Sequence, residues 1–83
     1  MSDTGTLIAT VPKNQREEVR IALDEYKGVQ LLDVRVFASF DDGDAERKPT
    51  KKGISIKLDK ISPLIDALQL ALAEARRRGL LDG

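Results

Sequence analysis

Between residues 18 and 58 the chain repeatedly places an apolar residue at every second position, the spacing of β-strands that bury one face. The clearest run is residues 30–40, where Leu32 and Val34 alternate with Asp33 and Arg35. Further runs cover residues 18–24 and 51–58, and a short β-prone run covers residues 6–11. We therefore predict four strands within residues 6–58, with residues 30–40 as the longest and Pro49 as irregular backbone before the last.

After residue 61 the spacing becomes that of one helix. Ser62 is suited to cap its N-terminus, with Pro63 at the first helical position. Gly79, which follows three arginines, is suited to end the helix, and Leu80 to pack over that end. The predicted fold class is α+β, a curved four-stranded antiparallel sheet followed by one C-terminal helix at residues 62–78.

The small size of the chain favours self-association. Its 83 residues form one predicted domain, with residues 1–5 as a flexible start and residues 79–83 as a tail. A domain of this size buries only about 60–65% of the surface that its unfolded chain exposes. There is no Cys for a disulfide. Because one sheet does not cover the whole apolar stripe of the helix, we predict that the chain self-associates through that stripe. The predicted interface residues are Leu64, Leu68, Ala71, Leu72 and Ala75.

Composition argues against several classes of function. The chain has no His and no Cys, so a typical zinc or haem site is not expected. It has neither a Gly-rich phosphate loop nor a nucleophile with its base, so we predict no enzyme, no catalytic residue and no cofactor. Apolar runs are short, so we expect no membrane span and a soluble, cytoplasmic protein, associated with the nucleoid if it is bacterial.

Charge is segregated along the chain although its sum is zero. Four acids fall within residues 41–46, around a predicted polar turn at residues 41–44. Residues 47–60 hold six basic residues and one acid, a density that suits an anionic partner. The rings of Tyr26 and Phe37 lie near further cations, and rings combined with cations indicate unpaired nucleic acid.

Three segments carry a resemblance to a known family. The segments are Tyr26-Lys27-Gly28, Leu31-Leu32-Asp33-Val34-Arg35 and Pro49-Thr50-Lys51-Lys52-Gly53-Ile54-Ser55-Ile56. In order and spacing they are similar to the single-stranded-DNA-binding domain of the positive cofactor 4 transcriptional coactivators, over roughly residues 7–72. The resemblance implies that the protein works as a homodimer joined through the helix. The turn at residues 12–16 resembles the short bacterial or phage branch of that family.

The resemblance implies a dimer whose paired sheets hold two single-stranded segments in channels. It implies a stacking ring in the aromatic-Lys-Gly turn, a strand arginine with a second ring two residues later, and a cationic pair before the glycine. Two further cations in the first turn would extend the channel. The nucleic-acid-binding residues implied in this way are Lys13, Arg16, Tyr26, Lys27, Arg35, Phe37, Lys51 and Lys52.

Some positions depart from the family pattern or have a purely structural alternative. Eukaryotic members carry tryptophan where this chain has Ala38 and lysine where it has Val29, so stacking and charge are expected to be weaker here. Phe37 is equally a candidate for the core. Arg35 can also form a surface ion pair with Asp33, two residues back on the same face.

Three functions remain open on sequence alone. The first is a single-stranded DNA-binding coactivator or regulator of transcription, with RNA polymerase or transcription factors as further partners. The second is a module whose Arg35, Lys51 and Lys52 dock an acidic protein. The third is binding of single-stranded RNA, because phosphate contacts and stacking do not distinguish the two sugars.

Overall fold

The computed structural model describes residues 5–39 and 47–81. Within these residues the four strands form one antiparallel sheet in the order β1-β2-β3-β4, and the predicted α+β fold of four strands and one C-terminal helix is confirmed. Phe40, the polar turn at residues 41–44 and the first four residues of the predicted flexible start lie outside the described residues. The elements are β1 (Thr6–Pro12), β2 (Glu17–Tyr26), β3 (Val29–Ala38), β4 (Lys48–Lys57), a 3-10 turn (Leu58–Lys60) and α1 (Ile61–Arg77).

The strand boundaries differ from those predicted. Strands β2, β3 and β4 each contain ten residues, so the prediction that residues 30–40 form the longest strand is wrong. Strand β4 begins at Lys48, and Pro49 pairs with Phe37 inside the ladder rather than preceding it as irregular backbone. Proline is tolerated there because β4 is an edge strand.

The alternation sorts side chains onto two faces of the sheet. Strands β2 and β3 pair without interruption from Glu17 opposite Ala38 to Tyr26 opposite Val29. One face points toward the helix and carries Ile8, Ile21, Leu23, Leu32, Val34 and Ile54. The other face, called the open face below, carries Arg20, Asp33, Arg35, Phe37 and Ser55.

The two ends of helix α1 are built differently. The 3-10 turn leads directly into the helix, so Lys60 takes the N-cap position without a side-chain hydrogen bond, and the predicted Ser62 cap is wrong. Pro63 falls at the third helical position rather than the predicted first, and it is tolerated because its missing N–H would have no partner in the first turn.

The predicted stop at Gly79 is confirmed. Gly79 has a φ of 71°, its N–H donates to the Arg76 carbonyl at 3.0 Å, and the Leu80 N–H donates to the Ala75 carbonyl at 2.9 Å. This pair of bonds is the Schellman motif, which a left-handed glycine permits. No helix among the described residues is long and apolar enough to cross a membrane.

A single copy of the chain fully buries few of its side chains. Among the described residues only Leu32 and Ala38 are buried, and α1 buries none. An apolar cleft of about 530 Å³ lies between the sheet and the first turns of the helix. The radius of gyration is 15.0 Å, whereas a compact chain of this length has one of about 12 Å. The helix therefore projects from the sheet instead of lying flat on it.

Candidate nucleic-acid interface

An exposed aromatic ring lies at the tip of the β2–β3 hairpin. Tyr26 and Val29 are paired across a two-residue turn, in which Lys27 has a φ of 52° and Gly28 a φ of 80°. Two positive φ values are typical of a type I′ turn, which matches the twist of the strands. The Tyr26 side chain is 63% exposed, and the Lys27 ammonium lies 5.3 Å from the centre of its ring. The turn therefore presents a ring and a cation together.

A second ring lies at the other end of the open face and already has a cation against it. The Arg20 guanidinium lies 4.2 Å from the centre of the Phe37 ring. Arg20 is opposite Arg35 in the β2–β3 ladder, and Phe37 is opposite Glu18. A base stacking on that side of Phe37 would have to displace Arg20, whereas the Lys27 ammonium lies farther from the Tyr26 ring, at 5.3 Å.

The arginines of the open face are held by carboxylates. Arg35 pairs with Asp33 at 3.1 Å, and Arg20 and Arg47 both pair with Glu18 at 2.6 Å. The hydrogen bond from Arg20 is the largest cause that holds the pKa of Glu18 below its ordinary value. Desolvation opposes it, and the hydrogen bond from Arg47 lowers the pKa by less than either of these two effects changes it. The Ser55 hydroxyl also donates to Asp33, at 2.8 Å. Part of the positive charge predicted for this face is therefore already paired.

A bulge in β4 carries the lysine pair. The β3–β4 register shifts between the pairs Arg35–Gly53 and Phe37–Pro49, which leaves residues 50–52 outside regular pairing. The Thr50 hydroxyl donates to the Val36 carbonyl at 2.8 Å and accepts from the Lys52 N–H at 3.1 Å. Arg35 donates to the Thr50 carbonyl at 3.1 Å. Three hydrogen bonds at Thr50 therefore hold the bulge in one conformation.

Gly53 allows β4 to approach β3 closely beside this bulge. A Cβ atom at Gly53 would lie 2.5 Å from the Val34 carbonyl oxygen and 2.8 Å from the Arg35 Cα. Both atoms belong to the backbone and cannot rotate away. The glycine of the Lys-Lys-Gly segment is therefore required by the pairing of the two strands.

Lysines along β4 differ from the arginines of the open face in having no ion pair. In residues 5–39 and 47–81, no carboxylate lies within salt-bridge distance of Lys48, Lys51, Lys52 or Lys57. These lysines lie on an edge strand of the sheet. Lys57 is opposite Leu31, two residues along β3 from the partner of Tyr26. The row of lysines thus runs from the bulge toward the hairpin tip.

The β1–β2 turn carries the remaining predicted cations. The Asn14 side chain accepts the N–H groups of Arg16 and Glu17 at 3.0 and 2.8 Å, which closes the turn. Hydrogen bonds from Asn14 and then Lys13 lower the pKa of Glu17, and Lys52 adds a weaker electrostatic contribution. A cleft of about 640 Å³ opens here, lined by Asn14, Gln15, Arg16, Glu17, Ala38 and Ser39.

The predicted binding residues fall into two groups on the sheet. Tyr26 and Lys27 lie at the hairpin tip. The other group lies toward the opposite end, about 20 Å away for strand positions six residues apart. It contains Lys13, Arg16, Arg35, Phe37, Lys51 and Lys52. Lys57 lies between the two groups.

The predicted dimer residues extend along the helix from the cleft toward its C-terminal end. Leu64 and Leu68 line the apolar cleft, and Leu68 is 60% exposed. Ala71, Leu72 and Ala75 follow on the later turns, beyond the residues that line the cleft. Metal-binding groups of three or more His, Cys, Asp or Glu side chains are not found in the described part of the chain.

Several residues that shape this surface were not in the predicted site. Alternation along the second strand predicts that Arg20 lies on the open face, but its contact with Phe37, like that of Thr50 with Val36, follows only from the strand register. Lys48 and Lys57 belong to the basic cluster at residues 47–57. The alternation of apolar residues with Gly53, Ser55 and Lys57 predicts that Lys57 lies on the open face, and the register of β4 agrees, but Lys57 was not among the predicted binding residues.

Comparisons with known proteins bear on the family and the fold. Residues 13–67 match the family described as Transcriptional Coactivator p15 (PC4). The crystal structure of a PC4 homologue from Burkholderia pseudomallei K96243, in its tetragonal form, is 37% identical with a TM-score of 0.72, over 82% of this chain and 97% of that one. Its orthorhombic form has a TM-score of 0.73, over 86% and 93% of the two chains.

A bacteriophage T5 homologue of the coactivator is 28% identical with a TM-score of 0.65, over 87% of this chain and 81% of that one. Comparison with curated protein sequences found no significant match. Because the family match spans residues 13–67 of 83, and the bacterial homologue shares the fold over nearly its whole length, the chain belongs to the Transcriptional Coactivator p15 (PC4) family.

Proposed function

We propose that this protein binds single-stranded DNA and acts as a transcriptional coactivator or regulator, by phosphate contacts and base stacking with little sequence specificity. Membership in the PC4 family implies a DNA-binding, coactivator-like function. The bacteriophage T5 relative is implicated in recombination-dependent DNA replication, which also favours a DNA partner.

One observation supports the preference for unpaired DNA: an exposed ring at the end of β2 and a row of lysines on β4 lie in one sheet, with β3 between them. Within residues 5–39 and 47–81 these lysines have no ion pair. Tyr26 offers a π-face on which a base can stack, and stacking accepts any base. Lys51, Lys52 and Lys57 offer charges that release counterions from phosphates. In a duplex the faces of the bases are already covered by their neighbours, so this combination suits a single strand.

We propose further that the protein works as a homodimer joined through α1. The cleft between α1 and the sheet is lined only by apolar side chains, and Leu68 at its edge is 60% exposed. An apolar surface of this kind is unfavourable in water and is characteristic of an interaction site. A second copy supplies a matching helix stripe through an isologous contact. The dimer would act where the DNA is, in the cytoplasm if the cell is bacterial.

Titration with oligonucleotides tests the proposal. A labelled oligo-dT is expected to change fluorescence anisotropy at low salt, with tighter binding than matched duplex and with weaker binding when salt is raised. Matched RNA and an acidic peptide serve as competitors. Binding to the peptide but not to oligo-dT would refute the DNA function in favour of a protein partner. Tighter binding to RNA than to DNA would show that single-stranded RNA is the ligand.

Substitution of the exposed ring tests the stacking contact. Tyr26→Ala is expected to weaken oligo-dT binding by about 1–3 kcal/mol without loss of fold. Val29→Ala, directly opposite in the hairpin and 42% exposed, removes apolar area but no ring and is the matched control. Equal effects in both variants would show that apolar contact, not stacking, is responsible.

Two helix leucines test the dimer. Leu68→Asp places a charge in the stripe and is expected to give monomers or unfolded chain. Leu70→Asp makes the same change at a side chain that is 74% exposed and lies off the stripe, and it should leave the dimer intact. Sedimentation at several concentrations measures both, and a stable dimer of Leu68→Asp would refute this interface.

A further inference from the structure

Arg47 makes a three-way contact with a turn that lies about thirty residues earlier in the chain. Its Nε donates to the Arg16 carbonyl at 3.1 Å, and its Nη2 donates to the Gln15 carbonyl at 2.8 Å. Its Nη1 donates to the Glu18 carboxylate at 2.6 Å. The side chain is only 31% exposed. All three nitrogens of the guanidinium therefore have an acceptor in the β1–β2 turn or at the start of β2.

We propose that Arg47 is a positioning residue that fixes the β1–β2 turn for nucleic-acid binding and does not itself contact a phosphate. This inference rests on the proposed function, since it assigns a role within the same surface. Arg47 begins the basic segment at residues 47–57, yet its donors point into the protein. Its charge is thus engaged by Glu18 and by two carbonyls.

The turn needs such a donor because its carbonyls project beyond the paired ends of the strands. The Ser39 N–H supplies one further bond, to the Arg16 carbonyl at 2.9 Å. A guanidinium presents its N–H groups in a planar fork, so a single side chain can serve three acceptors at once. Lysine is a point charge on a flexible stem and cannot reproduce this arrangement.

The contact also joins the turn to the open face. Glu18 holds Arg47 and Arg20 together, and Arg20 lies over the Phe37 ring. The same turn carries Lys13 and Arg16. If the turn is already fixed in the free protein, less conformational entropy is lost when nucleic acid binds, and the affinity is higher.

A charge-conserving substitution separates positioning from contact. Arg47→Lys and Arg47→Ala are both expected to weaken oligo-dT binding by roughly two- to tenfold, with the slope of log Kd against log salt unchanged. The matched control is Lys48→Gln, which removes the neighbouring cation, one with no ion pair to any residue that the structure describes. This variant should lower the slope by about 0.7. Circular dichroism and thermal melts confirm that each variant is folded at the temperature of titration.

Amide hydrogen exchange supplies a readout that does not involve DNA. The Ser39 N–H shares its acceptor with Arg47, so its protection should fall in Arg47→Lys and stay unchanged in Lys48→Gln. Wild-type affinity in Arg47→Lys, or a slope lowered by about 0.7 in Arg47→Ala, would overturn the proposal in favour of a phosphate contact. Unchanged Ser39 protection would overturn it as well. If the unmodified protein fails to bind oligo-dT, the proposed function fails instead, and the exchange result alone decides whether Arg47 fixes the turn.

Discussion

The open face and the β4 edge carry the same sign of charge in two different states. On the open face, Arg20 and Arg35 are paired with carboxylates. On the β4 edge, no ion pair holds Lys51, Lys52 or Lys57 within the described part of the chain. The difference teaches that a count of basic residues overstates the charge available to a partner, because paired cations already serve the fold.

Arginine suits an ion pair that stabilises the fold, and lysine suits a contact with a phosphate of the bound strand. A guanidinium fits a carboxylate through two parallel bonds and tolerates partial burial, so arginine suits a structural pair. An ammonium is strongly hydrated and stays in solvent on a long stem, so lysine suits a mobile phosphate contact. A phosphate that recruits a paired arginine must also displace its carboxylate, whereas an unpaired lysine carries no such penalty.

The largest change in stability is expected at Gly53, where the β4 edge pairs with Arg35 of the open face. Gly53→Ala puts a methyl group against the backbone of Val34 and Arg35, so the bulge must shift and stability should fall by about 1–3 kcal/mol. The control is Gly5→Ala, whose added methyl group meets only ordinary contacts, at 3.7 Å or more. Denaturant unfolding measures both, and equal stability would show that β4 does not need its close approach.

Acid should weaken the paired region first. The pKa values of Glu17 and Glu18 are lowered in the folded protein, mainly by hydrogen bonds from Asn14 and Arg20 respectively. Their stabilisation is therefore present above the unfolded pKa of about 4.3 and is lost as pH falls through the lower folded value. Unfolding free energies measured from pH 7 to pH 3 should fall less in Glu18→Gln than in the unmodified protein. An identical decline in both would contradict this role of Glu18.

The smallest effect concerns Lys27, which occupies a backbone conformation that asparagine adopts more easily. Lys27→Asn should raise stability by a few tenths to about 1 kcal/mol, because its φ of 52° suits asparagine in a type I′ turn. It should also weaken oligo-dT binding by removing a cation. Lys27→Gln removes the same charge without the conformational benefit. Unchanged affinity in both variants would show that the hairpin cation does not contribute.

The parts of the fold that depend on local spacing could be predicted from the sequence. Alternation in residues 30–40 placed Leu32 and Arg35 on opposite faces, and the glycine after three arginines marked the end of the helix. The Ser62 cap was wrong because the 3-10 turn continues into the helix and makes a side-chain cap unnecessary at that position. Capping rules that consider only Ser62 and Pro63 cannot predict that a 3-10 turn precedes the helix and shifts its first residue to Ile61.

The parts of the site that depend on the register between strands could not be predicted. The ion pair between Arg35 and Asp33 does not depend on it, since those residues are two apart on one strand, and it was a stated alternative. The contacts of Arg47 reach across about thirty residues and exist only once β4 is paired and bulged. No spacing in the sequence distinguishes this arginine from its lysine neighbours.

The dependence of oligo-dT affinity on salt tests most directly whether the unpaired lysines carry the electrostatic attraction. Lys51→Gln with Lys52→Gln should lower the slope of log Kd against log salt by about 1.4, or about 0.7 for each phosphate that is no longer neutralised. Arg20→Gln removes a charge that is already paired and should leave the slope unchanged. Equal slopes in the unmodified protein and the lysine variant, or a fall in Arg20→Gln as large as that for one lysine, would contradict the account.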